Sequence, residues 1–124
     1  MYKLVFFVPI EQLEAVKAAL FAAGGGRIGH YDCCAWQVLG LGQFRPRAGS
    51  NPFLGSQEQL EQVQEYRVEM VVADALIEPV IRALHAVHPY EEPAYDVCHL
   101  EDFSHLKPAY DVWRLEDFSH LKPA

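Results

Sequence analysis

From Tyr2 to Val8 (YKLVFFV) apolar and β-branched residues follow one another almost without a break. A central strand covered on both faces reads this way. Pro9 ends the run, and the spacing then changes. Between Glu11 and Ala23, Leu13, Val16 and Leu20 fall at i, i+3 and i+7, with Ala19 and Ala23 on their side and Glu14 and Lys17 off it. That is the period of an amphipathic helix. Gly24-Gly25-Gly26 closes it, glycine being the residue that tolerates a left-handed C-cap, and the triplet reads as a flexible corner. It follows a helix rather than opening one, so it is not a phosphate cradle. Tyr31 to Leu39 predicts a second strand, Gly40-Leu41-Gly42 a turn, and Gln43-Phe44-Arg45 a short returning arm. Pro46 to Ser56 predicts a surface loop, followed by a polar stretch from Gln57 to Gln64 anchored by Leu60 and Val63. Tyr66 to Ala73 alternates as a third strand, with Tyr66, Val68, Met70 and Val72 on one face and Arg67, Glu69 and Val71 on the other. Asp74 predicts an N-cap for a helix carrying Ile77, Val80, Ile81, Leu84 and Val87, with Pro79 in its first turn. His88-Pro89 ends that helix, and Ala94 to Leu100 predicts a fourth strand.

The predicted order is β-α-β-β-α-β, the α+β, ferredoxin-like pattern: an antiparallel sheet with both helices on one face. Because the first strand is apolar on both sides, the open face is predicted to be apolar too. Its simplest cover is another subunit, so the pattern predicts self-association. The chain then repeats itself. Pro93 to Lys107 reads PAYDVCHLEDFSHLK and Pro108 to Lys122 reads PAYDVWRLEDFSHLK, differing only at Cys98/Trp113 and His99/Arg114. Two short, nearly identical copies are unlike a solenoid, whose repeats are longer and drift. They read as a tandem duplication, dividing the chain into a domain over residues 1–107 and a duplicated segment over 108–124. The first copy is expected to take the last-strand position. The second is expected to add an edge strand, cross to a neighbouring subunit or trail as a tail.

Composition narrows the partners. The 124 residues suit one domain with a real core. Ten Lys and Arg against 17 Asp and Glu give a net charge of −7, with no basic patch, which argues against nucleic acid. The longest apolar runs are too short to span a bilayer, and Met1-Tyr2-Lys3 leads into a strand without a signal-peptide pattern. No membrane partner is expected, and a cytoplasmic location is. Three cysteines, two of them adjacent, make a poor disulfide framework.

Three segments stand apart: GGGRIGHYDCCAW (Gly24 to Trp36), GLGQFRPRAGSNPFLGSQEQLEQVQEYRVE (Gly40 to Glu69) and HPYEEPAYDV (His88 to Val97). In this order, and with the G-x-G-x-F-x-P and N-P-F-x-G elements of the middle segment, the chain resembles the YqfO / NIF-three-like family over about residues 1 to 100. More narrowly it resembles that family's PII-like or CutA-like middle domain, which also occurs as a short free-standing protein. The resemblance implies a homotrimer with ligand clefts between subunits and a regulatory role. It implies none of the dinuclear metal chemistry of full-length members, whose metal ligands come from flanking lobes.

Several residues carry candidate chemistry. His88-Pro89-Tyr90-Glu91-Glu92 gathers an imidazole and two carboxylates, a set suited to a divalent metal or a cationic ligand. It reads equally as a fold corner in which Pro89 rigidifies, Tyr90 packs and the glutamates stay solvated. His30 and Cys34 offer soft ligands of the kind copper or zinc prefers, and would join His88 and Glu91 in a metal site if the two corners met. Alternatively Cys33 and Cys34 are small buried hydrophobes. Arg67 and Glu69 share one strand face, as a polar surface or as part of a subunit cleft. The candidate ligand set is therefore His30, Arg67, Glu69, His88, Tyr90, Glu91 and Glu92. The candidate metal set is His30, Cys34, His88 and Glu91. The ligand itself is unidentified, a divalent metal ion being one candidate cofactor. Ser104-His105 and its copy Ser119-His120 fall in predicted loops, and no nucleophile is assigned. The expected function is a small, oligomeric, non-catalytic regulatory or ligand-binding module, with a CutA-like metal-handling protein or a ligand-free assembly module as alternatives.

Overall fold

A computed structural model describes residues 1–106; the second copy of the repeat lies outside the described residues. Strand β1 (Tyr2–Pro9) leads through a short 3-10 turn, Ile10–Gln12, into helix α1 (Leu13–Ala22). Strands β2 (Trp36–Phe44) and β3 (Glu61–Val72) follow, then a 3-10 turn, Asp74–Leu76, helix α2 (Ile77–Val87), strand β4 (Tyr95–His99) and a last 3-10 turn, Ser104–Leu106. The four strands form one sheet in the order β2-β3-β1-β4 with every pair antiparallel. This is the ferredoxin-like α+β arrangement predicted by the spacing.

The core forms where the apolar face of the sheet meets the helical stripes. Leu4, Phe6 and Val8 of β1 and Val68, Met70 and Val72 of β3 pack against Leu13, Val16 and Leu20 of α1 and Val80 and Leu84 of α2. Both helices therefore lie on one face. The register Phe6↔Val68 and Phe6↔Tyr95 places Phe6 at the centre of the central strand, fully buried.

The glycine corner is tight rather than flexible. The Gly25 N–H donates to Leu20 C=O and the Gly24 N–H to Phe21 C=O, the paired bonds of a Schellman motif. Gly24 has φ +112°, a conformation other residues adopt at a cost. The Gly26 N–H then donates to Val71 C=O, fastening the corner to the end of β3.

Four expectations change. Gly40-Leu41-Gly42 is not a turn and Gln43–Arg45 is not a separate arm. β2 runs straight through to Phe44, and β3 starts five residues earlier than Tyr66. Beyond the Pro9↔Glu65 pairing β1 has ended, so Leu41–Phe44 and Glu61–Gln64 continue as a two-stranded arm. With no further strand beside it among the described residues, the ribbon needs no apolar alternation, so its pattern reads as loop. Asp74 does not cap α2; its carboxylate takes the Met1 ammonium instead, and no side chain caps the helix. The open face over β1 is also less bare than expected. Lys3 Nζ lies 2.9 Å from the Glu69 carboxylate, and the Arg67 guanidinium stands 5.8 Å above the Phe7 ring, leaving Val5 only 5 % exposed. Bare apolar surface lies on the edge strand β2, where Trp36 is 60 % and Leu41 67 % exposed.

Candidate functional site

Helix α2 ends where the His88 N–H donates to Leu84 C=O and Pro89 forbids another turn. The buried His88 ring is held on both sides. Its Nδ1 accepts the Tyr90 N–H at 3.1 Å, which leaves the proton on Nε2 to donate to Phe7 C=O at 2.6 Å. Burial holds the imidazole pKa below its ordinary value, favouring this neutral form. His88 thus pins the helix-to-strand corner onto β1. That requirement aims Tyr90 inward, its ring 5.0 Å from His88, 5.9 Å from Phe44 and 6.5 Å from Phe53.

Phe44 ends β2, and Phe53 belongs to the loop beyond it. That loop is closed by its own polar groups. The Glu58 carboxylate accepts from Arg47 Nε at 3.2 Å and from the Ala48 N–H at 3.0 Å, while the Gln57 amide donates to Ser50 C=O at 3.0 Å. The closed loop docks onto the corner, the Asn51 N–H donating to the Glu91 carboxylate at 3.0 Å. Between loop and corner lies a cleft of about 250 Å³, walled by Phe7, Phe44, Phe53 and Leu54 and edged by Glu65, Glu91 and Glu92.

The floor of the cleft is polar. The Tyr90 hydroxyl is buried and has no hydrogen-bond partner of good geometry among the described residues. Burial and the adjacent Glu65 carboxylate push its pKa up to about 12. The Glu65 carboxyl is itself raised by burial, against a smaller opposing effect of Tyr90. The two groups lie close enough to couple but short of a well-formed bond. Glu65→Gln removes a neighbouring negative charge, so the Tyr90 phenol should ionise at lower pH in the variant. Tyrosine-selective NMR titration of both proteins checks this; an unchanged Tyr90 midpoint would separate the two groups.

The structure divides the candidate residues. Tyr90, Glu91 and Glu92 line the cleft, and His88 lies beneath it as the residue that positions Tyr90. Arg67 and Glu69 stand on the open face, where Lys3 and then Arg67 hold the Glu69 carboxyl below its usual range. His30 is exposed in the segment between α1 and β2, and Cys34 donates to Asp32 C=O at 3.6 Å. These two residues do not reach His88. Cys34 shares a shallow cleft with Lys3, whereas His88 bonds to Phe7. Four residues of β1 at about 3.3 Å each separate those points by roughly 13 Å. Among the described residues of one protomer, no three His, Cys, Asp or Glu side chains are grouped to hold a metal. Nor is any helix of the described residues long and apolar enough to cross a membrane.

Sequence reasoning missed Phe7, Gln43, Phe44, Phe53 and Glu65. The first and last sit in strands and meet the corner only through the fold. Phe44 and Phe53 did carry a signal, as the aromatic positions of G-x-G-x-F-x-P and N-P-F-x-G.

Comparison with known proteins places the arrangement. No family model matches the chain. It is 50 % identical over 95 residues to a GTP cyclohydrolase 1 type 2 homolog of Mycobacterium leprae, covering 77 % of this chain and 25 % of that protein. Its counterpart in Bacillus subtilis is 46 % identical over 99 residues, covering 80 % and 26 %. The chain thus spans about a quarter of the length of the curated relatives it matches. Among solved structures, a Bacillus cereus protein related to NIF3 superposes with a TM-score of 0.70 at 42 % identity, over 82 % of this chain and 26 % of that one. CutA1 from Pyrococcus horikoshii gives 0.61 at 18 % identity, over 86 % and 92 %. The PII-like protein CutA from Nostoc sp. PCC 7120 gives 0.61 at 15 % identity, over 90 % and 91 %. At those identities the last two matches speak for the fold alone. The chain is a homologue of the NIF3/YqfO proteins, the GTP cyclohydrolase 1 type 2 homologs, over a segment about a quarter of their length, and that segment has the fold of CutA and PII-like proteins.

Proposed function

We propose that this protein is a small, self-associating, non-catalytic regulatory module that binds a small ligand in the cleft between the loop after β2 and the corner after α2. The observation that carries this reading is the cleft itself. Two of the three distinctive sequence segments converge there, and the loop is closed by its own hydrogen bonds and docked onto the corner. Pre-formed concave sites with apolar walls and a few polar groups are where small molecules bind. The cleft offers carboxylates and a phenol, and the hydroxyl of its Ser50 donates to Arg47 C=O, polar groups that suit the holding of a ligand. A thermal-shift screen with metabolites, nucleotides and divalent ions tests it. A ligand of the folded state must raise the melting temperature by mass action. The shift should appear with the full chain and vanish in Phe53→Ala; a shift that survives in Phe53→Ala would place the ligand elsewhere.

The assembly is proposed to be a homotrimer joined through the free edge of β2. Exposed Trp36, Val38, Leu39 and Leu41 there support this reading, since an uncovered apolar edge strand invites pairing. Light scattering should give a mass of three chains, and Trp36→Glu with Leu41→Glu should shift it towards one. A folded wild-type monomer in dilute buffer would contradict the proposal.

A further inference from the structure

The side chains that would bring charge into the cleft are all acidic: Glu65, Glu91 and Glu92. The neighbouring basic groups among the described residues are not part of its lining. Arg67 stands over the Phe7 ring and pairs with Glu69, Arg47 pairs with Glu58, Arg45 is exposed, and none of the three lines the cleft. His88 touches Tyr90 with its ring nitrogens already engaged by Phe7 and the Tyr90 N–H. A phosphate or carboxylate entering here would meet three carboxylates and, among the described residues that line the cleft, no cation, the reverse of an anion site. A nitrogen cation meets the opposite. The Glu65 carboxylate waits as an acceptor beside the buried Tyr90 hydroxyl, which makes no well-formed hydrogen bond among the described residues, and the faces of Phe44, Phe53 and Tyr90 attract positive charge.

One glycine supports this geometry. Gly42 and Glu65 lie on the same face of neighbouring strands, and the Glu65 side chain crosses over Gly42. A Cβ at position 42 would stand 2.7 Å from Glu65 Cδ and closer still to a carboxylate oxygen. Any other residue there would push the carboxylate off its place. Gly42 is thus a positioning residue, which accounts for a glycine in mid-strand where its entropy cost argues against it.

We propose that the cleft binds an organic cation with a flat apolar body, such as an aromatic amine or a protonated heterocycle, its nitrogen at Glu65 and its ring against Phe44 and Phe53. The inference rests on the cleft being the ligand site. A matched pair of probes separates the two claims. Phenethylamine and phenylacetate share a ring and a chain length and differ in the sign of the charge. Each is titrated into the full-length 15N-labelled protein while the amides of Phe53, Glu65 and Tyr90 are followed. Phenethylamine is expected to shift them with a Kd about tenfold lower than that of phenylacetate. Glu65→Gln and Gly42→Ala should each bring the amine-to-acid affinity ratio towards one, a readout that loss of packing alone would not move selectively. If phenylacetate binds the same amides as tightly or more tightly, the cation assignment falls and the cleft reading stands. If neither probe moves these amides, both fall. If the ratio is unchanged in Glu65→Gln, the placement of the nitrogen is wrong.

Discussion

Phe6→Ala is expected to lower the unfolding free energy by about 4 kcal/mol, within the range for removing a phenyl ring from a packed core. Phe6 is the largest of the fully buried side chains and occupies the middle of the central strand, under both helices. Deleting it loses transfer free energy and leaves a void between two layers that the flanking pairings of β1 with β3 and β4 keep from collapsing. Domains of this size are stable by about 5–15 kcal/mol in total, so the variant should keep little reserve. Urea denaturation of wild type and variant checks this, with Phe6→Leu expected to cost under about 1.5 kcal/mol because most of the volume stays. A loss below about 1 kcal/mol for the alanine variant would mean that the core does not centre on β1.

His88→Ala should cost about 3 kcal/mol, from a buried acceptor and donor left unpaired, each at about 1–3 kcal/mol when nothing replaces the bond, offset by partial relaxation of the corner. The Phe7 carbonyl and the Tyr90 N–H are those groups. The effect reaches the cleft, because Tyr90 is aimed by the same ring. The pH dependence follows from the sign of the shift. The folded-state pKa of His88 lies below its ordinary value of 6.5. As pH falls through the mid-sixes the unfolded chain takes up the proton first, so stability is full above that range and is lost as pH falls through it. Glu65 acts in the opposite sense: its raised pKa means that protonation below neutrality relieves a burial penalty in the folded state. The comparison is therefore between variants. Wild type should lose more stability between pH 7 and pH 5 than His88→Gln does, and identical slopes would remove His88 from the account.

Much of the scaffold was legible because its pattern is set by local burial. Strand β1 is covered on the core side by the helices and on the other by Lys3, Glu69 and Arg67, so its apolar run reads correctly as a central strand. Helix α2 carries Val80 and Leu84 at helical spacing into the core. The arm of β2 and β3 was not legible. Gly40 and Gly42 look like a turn; the ladder with β3 holds Gly42 extended, and Glu65, twenty-three positions on, fills the place of a side chain there. Asp74 has the chemistry of a cap, but the Met1 ammonium lies nearer. At the site, the residues of His88-Pro89-Tyr90-Glu91-Glu92 were visible and their roles were not. Nothing local says that both nitrogens of His88 serve the backbone, or that Tyr90 finds its ring partners in Phe44 and Phe53, some forty positions earlier. His30 and Cys34 lie apart from His88 within one protomer for the converse reason. Each corner is plausible alone, and the antiparallel sheet sets them at opposite ends.

The cleft exists only if the loop after β2 meets the corner after α2 around one tyrosine. Nuclear Overhauser contacts in protein with labelled aromatic rings test that meeting directly. Cross-peaks from the Tyr90 ring to both Phe44 and Phe53 are predicted in the ligand-free protein at neutral pH. A spectrum in which Tyr90 sees His88 but neither phenylalanine would contradict it, leaving a folded sheet with no cleft.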